Sequence, residues 1–244
     1  MYILGIDIGG SGIKGALVNL ETGELTTERY RIPTPEGGEP EAVADVVAQI
    51  IEYFNYKGKV GCGIPTIVKD GICKEHGNLS PKWKGLNAEE LFQKRTGLDF
   101  HIINDADAAA SAIMHYGVGK GRSGFVVTIT VGTGLGSGAY FNGKLIPNFE
   151  LGQIPYKKYE KFEHYAASSI KEQENLSYKQ WAKRFNKFLK YVNLIASPNL
   201  IILGGGISKY WSKFEKYLEC DVEIIPAELQ NHAGIIGAAA EVNS

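Results

Sequence analysis

Cysteine is scarce in this chain of 244 residues, and the three present, Cys62, Cys73 and Cys220, are scattered without a C-x-x-C pair. That pattern excludes a disulfide framework and a cysteine-ligated zinc site, so no structural zinc is expected and each thiol reads as a small apolar residue. No uninterrupted apolar run approaches the roughly 18 to 20 residues that a membrane-spanning helix needs. The N-terminus enters a strand-like segment with no basic leader, so a cytoplasmic protein with no membrane partner is expected. Excess positive charge is missing as well: 26 Lys and Arg against 27 Asp and Glu leave a net charge of −1, which argues against a dedicated nucleic-acid binder. The 44% hydrophobic content is ordinary, and the length suits one large domain or two small ones.

The balanced charge hides an uneven distribution. Residues 157–190 hold nine Lys or Arg against four Glu, a local excess of five. This is either a solvated helical face or a basic track for an extended polyanion.

Glycine, by contrast, is plentiful, with 30 residues, and it concentrates in two turns set between short apolar segments. The first is Asp7-Ile8-Gly9-Gly10-Ser11-Gly12-Ile13-Lys14-Gly15, and the second is Thr130-Val131-Gly132-Thr133-Gly134-Leu135-Gly136-Ser137-Gly138. A strand that runs into such a turn ends with N–H groups pointing one way, and residues without Cβ let an anion approach them. Both therefore read as hairpin clamps for phosphate. Gly10, Gly12 and Gly15 also satisfy G-x-G-x-x-G, but the dinucleotide fingerprint requires a helix after the glycines, and here a further short strand and turn follow. A Walker loop is excluded because Lys14 precedes Gly15 rather than Ser or Thr.

Residues 2–6, 16–20 and 25–32 read as strands, and residues 39–53 carry apolar side chains at helical period. Short buried strands follow at 60–64 and 100–103, with a helix at 88–95 between them. The alanine-rich residues 105–116 form a helix with an Asp start signal. The order then repeats: strands at 125–131, 137–141 and 144–147, with an Asn142-Gly143 hairpin turn, lead into a basic, aromatic helical region over 159–195. A buried strand at 199–203 precedes Gly204-Gly205-Gly206 and another helix. Two β-β-β-α halves, each opening on a phosphate-type hairpin, predict two α/β lobes facing each other across a cleft.

These residues resemble a known family. The two glycine turns and Ile202-Leu203-Gly204-Gly205-Gly206-Ile207-Ser208 are similar to the phosphate and nucleotide motifs of the actin, hsp70 and sugar-kinase superfamily. Asn104-Asp105-Ala106-Asp107-Ala108, Glu150-Leu151-Gly152 and Pro226-Ala227-Glu228-Leu229-Gln230-Asn231 stand in the order found in ROK sugar kinases, most closely their polyphosphate glucokinase branch. The resemblance implies a two-lobed actin-like ATPase (ribonuclease H-like) α/β fold with a cleft between lobes. The expected division is an N-terminal lobe over 1–107, a C-terminal lobe over 108–232, and a last helix over 233–244 that packs back on the first lobe. Homodimers are expected. The chain lacks the cysteine-rich zinc motif of most of the family, as is usual in the polyphosphate branch, and with only residues 1–6 ahead of the first motif no DNA-binding domain is expected.

The implied activity is phosphoryl transfer from ATP or polyphosphate to the 6-hydroxyl of glucose or a close hexose, with Mg²⁺. An ATP-dependent kinase for another hexose, such as mannose, and a weakened sugar-binding sensor are the alternatives. Such transfer needs an in-line hydroxyl, a base for its proton, and N–H dipoles or positive charge around the moving group. Asp105 is the candidate base; by residue type alone it also reads as a helix cap, as Asp107 does. Asn104, Glu150, Gln153, Glu163 and Asn78 are the implied sugar contacts, and Trp83 is either a companion of Asn78 or core. Gln153 stands where the family usually carries His; an amide differs from imidazole in reach and cannot be protonated, which bears on the sugar held. Asp7 is expected to hold Mg²⁺ through water. Gly9, Gly10, Ser11, Gly12 and Lys14 in the first turn, and Thr130, Gly132, Thr133 and Gly134 in the second, are the expected phosphate contacts, with Lys14 otherwise a strand-end charge. Gly204, Gly205 and Gly206 complete the nucleotide side or form a plain strand-to-helix turn.

Overall fold

The computed structural model describes residues 1–228 and 232–243. It divides into two compact units, Met1–Tyr116 with His232–Ser244, and Gly117–Asn231. The expected boundary after residue 107 falls inside a helix, and the chain passes from one unit to the next after that helix ends. Leu229, Gln230 and Asn231, the end of one family-like motif, lie outside the described residues.

In the first unit the strands are β1 (Tyr2–Gly9), β2 (Gly12–Asn19), β3 (Tyr30–Ile32), β4 (Val60–Ile64), the short pair β5 (Val68–Lys69) and β6 (Ile72–Cys73), and β7 (Phe100–Asn104). Its helices are α1 (Pro40–Tyr53), α2 (Ala88–Thr96), α3 (Asp105–Tyr116) and, from the end of the chain, α8 (Ala233–Ala240). The main sheet runs β3-β2-β1-β4-β7, antiparallel through the hairpins and parallel from β1 to β4 to β7.

Side-chain alternation splits this sheet into two faces. Leu4, Ile6 and Ile8 of β1 join Val43, Val47 and Ile50 of α1 and Phe92 of α2 in one core. Gly5 and Asp7 point the other way, under α8, where Gly5 stands beside Gly61 of β4 in the parallel register. A Cβ on Gly5 would lie 2.1 Å from the Ile235 carbonyl oxygen, and one on Gly61 2.0 Å from that of Ala238. Glycine thus lets the α8 backbone lie directly on the sheet. Gly237 does the same towards α3, where a Cβ would meet the Ala108 oxygen at 1.6 Å.

The second unit repeats the plan with β8 (Phe125–Val131), β9 (Leu135–Phe141), β10 (Lys144–Ile146), β11 (Leu200–Gly204) and β12 (Glu223–Pro226), in the order β10-β9-β8-β11-β12. Its helices are α4 (Glu163–Ala166), α5 (Ser168–Gln173), α6 (Tyr178–Ala196) and α7 (Trp211–Phe214). Its core is aromatic: Trp181, Phe185 and Phe188 of α6, with Phe162 and Phe214, cover Val127, Ile129, Ile201 and Leu203. The Trp181 indole N–H donates to the Ala166 carbonyl at 2.9 Å, which satisfies the buried polar tip.

Several expected elements change. The strand expected over 25–32 survives only as β3; ahead of it Thr26 N–H donates to the Leu17 carbonyl and Leu17 N–H to the Thr27 hydroxyl, so a side chain replaces part of the ladder. The helical region over 159–195 breaks into α4, α5 and α6, and α6 begins in a capping box between Ser177 and Gln180. The first glycine turn is a tighter hairpin than expected: Gly9 still pairs with Gly12, leaving Gly10 and Ser11 as the loop. No helix among the described residues is long and apolar enough to cross a membrane.

Candidate functional site

The antiparallel register of β1 and β2 sets Asp7 opposite Lys14, and side chains opposite each other share a face. Lys14 Nζ accordingly lies 3.1 Å from Asp7 Oδ2, both half-buried. Lys14 is therefore the partner of Asp7 rather than a stray strand-end charge. Gly234, in the first turn of α8, comes so close that a Cβ would sit 3.0 Å from the Asp7 carboxyl carbon. The carboxylate thus lies between an ammonium group and a helix N-terminus, both of which favour negative charge.

The two-residue hairpin is held from outside by residues the sequence does not single out. Arg31 donates to the Ser11 carbonyl at 2.6 Å, and its guanidinium lies over Gly12, where a Cβ would be 2.6 Å away. The Thr34 hydroxyl donates to the Gly9 carbonyl. Asn78 is exposed and sits against Gly10, 3.3 Å from where a Cβ would be. Trp83 is fully buried, packed near Phe92, and its indole donates to the Gly38 carbonyl at 2.8 Å, so it belongs to the core.

At the carboxyl end of β7, Asn104 is 2% exposed. Its Oδ1 accepts from the N–H groups of Ala106 (2.8 Å) and Asp107 (3.1 Å), and its Nδ2 donates to the Thr66 carbonyl at 3.0 Å. Asn104 thus does the capping of α3 that residue type alone offers to Asp105. Asp105 follows, half-buried, as the first helical residue. The register Asp7–Gly63 and Gly63–Ile103 puts Asp7 and Asp105 at the carboxyl ends of strands that flank β4. Two strand spacings, about 10 Å, separate the two strands. Asp107 is buried.

In the second unit the turn is Gly132-Thr133-Gly134, closed by Gly132 N–H on the Gly134 carbonyl at 3.0 Å, and Thr130 lies below it, paired with Gly136. Ser169 of α5, also absent from the sequence reading, fixes the turn: its N–H donates to the Gly132 carbonyl at 3.2 Å and its hydroxyl to the Thr133 carbonyl at 2.6 Å. Gly205 packs beside the end of β8 with φ 82°, and a Cβ there would meet the Val131 oxygen at 2.5 Å. Only glycine suits both that conformation and that approach. Gly204 ends β11 and Gly206 opens the following 3-10 turn, so the three glycines stand next to the second turn.

Three of the expected sugar contacts gather around Leu135. Glu163 Oε2 accepts from the Leu135 N–H at 3.3 Å, its Oε1 is 3.4 Å from Gln153 Nε2, and Lys161 Nζ is 3.5 Å away. Glu150 leads into a 3-10 turn at Leu151–Gln153. That turn is bound to β9 by Ser137, whose hydroxyl donates to the Phe149 carbonyl and accepts from Leu151 N–H at 2.8 Å. It is also pressed close by Gly152, where a Cβ would lie 1.8 Å from the Leu135 oxygen. His164 is exposed.

The first unit therefore brings together two carboxylates, two cations and a short hairpin, and the second brings together a three-residue hairpin, a triple-glycine turn and an acid–amide pair. The ROK family profile matches residues 3–149. Polyphosphate glucokinase of Mycobacterium tuberculosis (strain CDC 1551 / Oshkosh) is 42% identical over 236 residues, covering 96% of this chain and 89% of the relative. The inorganic polyphosphate/ATP-glucomannokinase of Arthrobacter sp. strain KM superposes with a TM-score of 0.91 at 38% identity, over 99% of this chain and 98% of that one. A ROK family glucokinase from Streptomyces griseus, solved with glucose and AMPPNP, gives 0.78 at 21% identity over 98% of each chain, a likeness of fold. The chain belongs to the ROK family and has its two-lobed actin-like ATPase fold.

Proposed function

We propose that this chain is a sugar kinase that moves the terminal phosphoryl group of polyphosphate or ATP to the 6-hydroxyl of glucose. The observation that carries the mechanism is the capping of α3 by Asn104. Asn104 accepts from two N–H groups at the start of that helix, and Asp105 opens the helix at the carboxyl end of a strand, from where it would act as the base for a bound hydroxyl. The hydroxyl oxygen attacks the terminal phosphorus, its proton passes to Asp105, and the bond from phosphorus to the bridging oxygen breaks. The donor leaves one phosphate shorter.

Phosphoryl transfer asks the protein for position and charge more than for covalent chemistry. The N–H groups and hydroxyl of Gly132-Thr133-Gly134 would hold the donor, with Gly204, Gly205 and Gly206 beside it. Glu150, Gln153 and Glu163 accept from or donate to sugar hydroxyls, and Asn78 would reach the sugar from beside Gly10. Asn104, whose amide holds the start of α3 and the Thr66 carbonyl, would add a contact to a sugar hydroxyl.

The donor set suits Mg²⁺ carried in on phosphate. No group of three or more His, Cys, Asp or Glu is gathered as a metal cage among the described residues, and Mg²⁺ in phosphate sites typically uses one or two carboxylates and keeps its waters. Asp7 would hold the ion through water, with Lys14 beside it, and the ion would offset charge on the donor phosphates.

Mannose is carried as a second acceptor because the Arthrobacter relative is a glucomannokinase. Assays of glucose and mannose, each with ATP and with polyphosphate, test the proposal. Hexose 6-phosphate from either donor is expected, and no product from any of the four pairs would overturn it.

A further inference from the structure

The basic stretch over 157–190 is not left intact as one charged face. Lys161 pairs with Glu163 and Arg184 with Glu174. What the fold builds instead is a lysine cluster from three separated segments of the second unit. Lys171 of α5 lies 4.3 Å from the Tyr178 ring centre, and Lys213 of α7 lies 5.6 Å from the same ring and 5.0 Å from that of Tyr210. Lys179 and Lys216 stand 6.0 and 5.3 Å from the Tyr217 ring. Tyr178 and Tyr210 are 5.8 Å apart, so the two rings form one aromatic floor.

Lys179, Lys213 and Lys216 are exposed, and Lys171 is half-buried. Among the described residues, no ion pair takes any of the four. The acids beside them are Glu172, whose charge reaches Tyr178, and Glu215, next to Lys216 in sequence. Ring faces hold the ammonium groups near one another, but an anion would neutralise them far better.

Two segments that carry these lysines also touch the second glycine turn. Ser169, bonded to Gly132 and Thr133, is two residues from Lys171 in α5. Gly205, packed on Val131, opens the segment that carries Lys213 and Lys216. Two chain segments thus lead from the expected donor site to these lysines.

We propose that Lys171, Lys179, Lys213 and Lys216, gathered on Tyr178, Tyr210 and Tyr217, form an exosite for the distal phosphates of a polyphosphate chain whose terminal phosphate lies at the second glycine turn. This rests on polyphosphate being a donor. Repeating charge on a flexible chain suits mobile ammonium groups, which act as point charges without a fixed geometry. ATP and tripolyphosphate offer few phosphates beyond the terminal one for these contacts.

The test is the full chain carrying K171Q, K179Q, K213Q and K216Q together, assayed with long-chain polyphosphate, tripolyphosphate and ATP at low and about 0.15 M ionic strength. Binding of dye-labelled long-chain polyphosphate without sugar is measured alongside. An exposed ionic contact is worth a small factor each, so the four should raise KM for the long chain at least about tenfold and flatten its salt dependence. KM for ATP and tripolyphosphate should move less than about twofold. The pair K213Q/K216Q, both exposed, should give a smaller rise and serves if the fourfold variant folds poorly. An unchanged KM for the long chain, with wild type using it, overturns the exosite and leaves the donor assignment standing. An equal rise for ATP and the long chain makes the cluster part of a shared donor site and also overturns it. Wild type that uses ATP but neither binds nor uses long-chain polyphosphate overturns both.

Discussion

On one face of the first unit's sheet, helix meets sheet through backbone: Gly5, Gly61 and Gly237 let α8 lie against β1, β4 and α3 with almost no side chain between. In the second unit, helix meets sheet through rings, with Trp181, Phe185 and Phe188 of α6 filling the space over β8 and β11. The sheet orders correspond strand for strand, so the packing is not forced by the fold. A glycine interface holds α8 close enough for its first turn to reach Asp7, while Asp105 opens α3, the helix that Gly237 lets α8 approach. The aromatic core leaves the second unit's site on loops, each secured by one polar side chain: Ser137 for Glu150, Ser169 for the glycine turn, Glu163 for Leu135. In the proposed function the base and the metal carboxylate lie in the backbone-packed unit, and the donor clamp with three of the sugar contacts in the other.

Asp105→Asn gives the largest effect expected of this division. Removing a general base typically costs on the order of 10² to 10⁴ in rate, and the asparagine cannot take the proton, so kcat should fall by that factor while sugar affinity stays within a few-fold. Steady-state kinetics with direct sugar titration checks it. A variant that keeps most of its turnover would move the chemistry out of the first unit.

Next in size is the contrast between the packing modes. Gly237→Ala puts a Cβ where the Ala108 oxygen stands 1.6 Å away, and backbone must yield. Overpacking of this kind costs about 1 to 3 kcal/mol, or more where the neighbour is backbone, whereas Phe185→Leu in the second unit should cost about 1 to 2. Urea melts of both variants would show it. Comparable small losses would mean that α8 is not seated as tightly as described.

Much of this was legible locally. The strand at Val60–Ile64 and the helix at Asp105–Tyr116 follow from a short apolar run and from an alanine-rich period after polar start residues. The repeated order of strands around two glycine turns announced two related halves. What could not be read was tertiary. Glycine inside a strand looks like a breaker, and nothing near Gly5 or Gly61 in sequence says that a helix more than 170 residues later will rest on them. Arg31, Ser169 and Gly234 carry no motif, and their place beside the turns exists only once β3, α5 and α8 are packed. Asn104 and Asp105 are both good caps by type, and only the hydrogen bonds assign the role.

Gln153→His probes the second unit's recognition. The amide now lies 3.4 Å from Glu163, a long contact that an imidazole would make at different reach. A gained or lost hydrogen bond to a sugar hydroxyl is worth about 1 to 3 kcal/mol, so the ratio of kcat/KM for glucose over mannose should shift roughly ten- to a hundredfold, with turnover on the better sugar preserved. An unchanged ratio would make the position neutral and remove the one departure that favours a sensor over an enzyme.

The smallest effect separates the units by pH. His101 on β7 has its pKa lowered, by burial first, with the Lys59 charge adding to the shift and Glu89 and Glu241 opposing it. His232, also in the first unit, is lowered by burial and by Arg29. The unfolded chain takes up these protons near the ordinary value of about 6.5, while the folded chain resists them to lower pH. Between the two values the unfolded state therefore binds more protons, and stability falls as pH drops through that window. Hydrogen exchange at pH 5 and 7 should show the amides of β4 and β7 losing protection, after correction for intrinsic rates, ahead of those of β8 and β11. His101→Gln should flatten part of that loss, leaving the share due to His232. If the second unit opens first in acid, the ordering argued from these histidines is wrong, and the tight glycine packing of α8 outweighs the half-buried imidazole of His101.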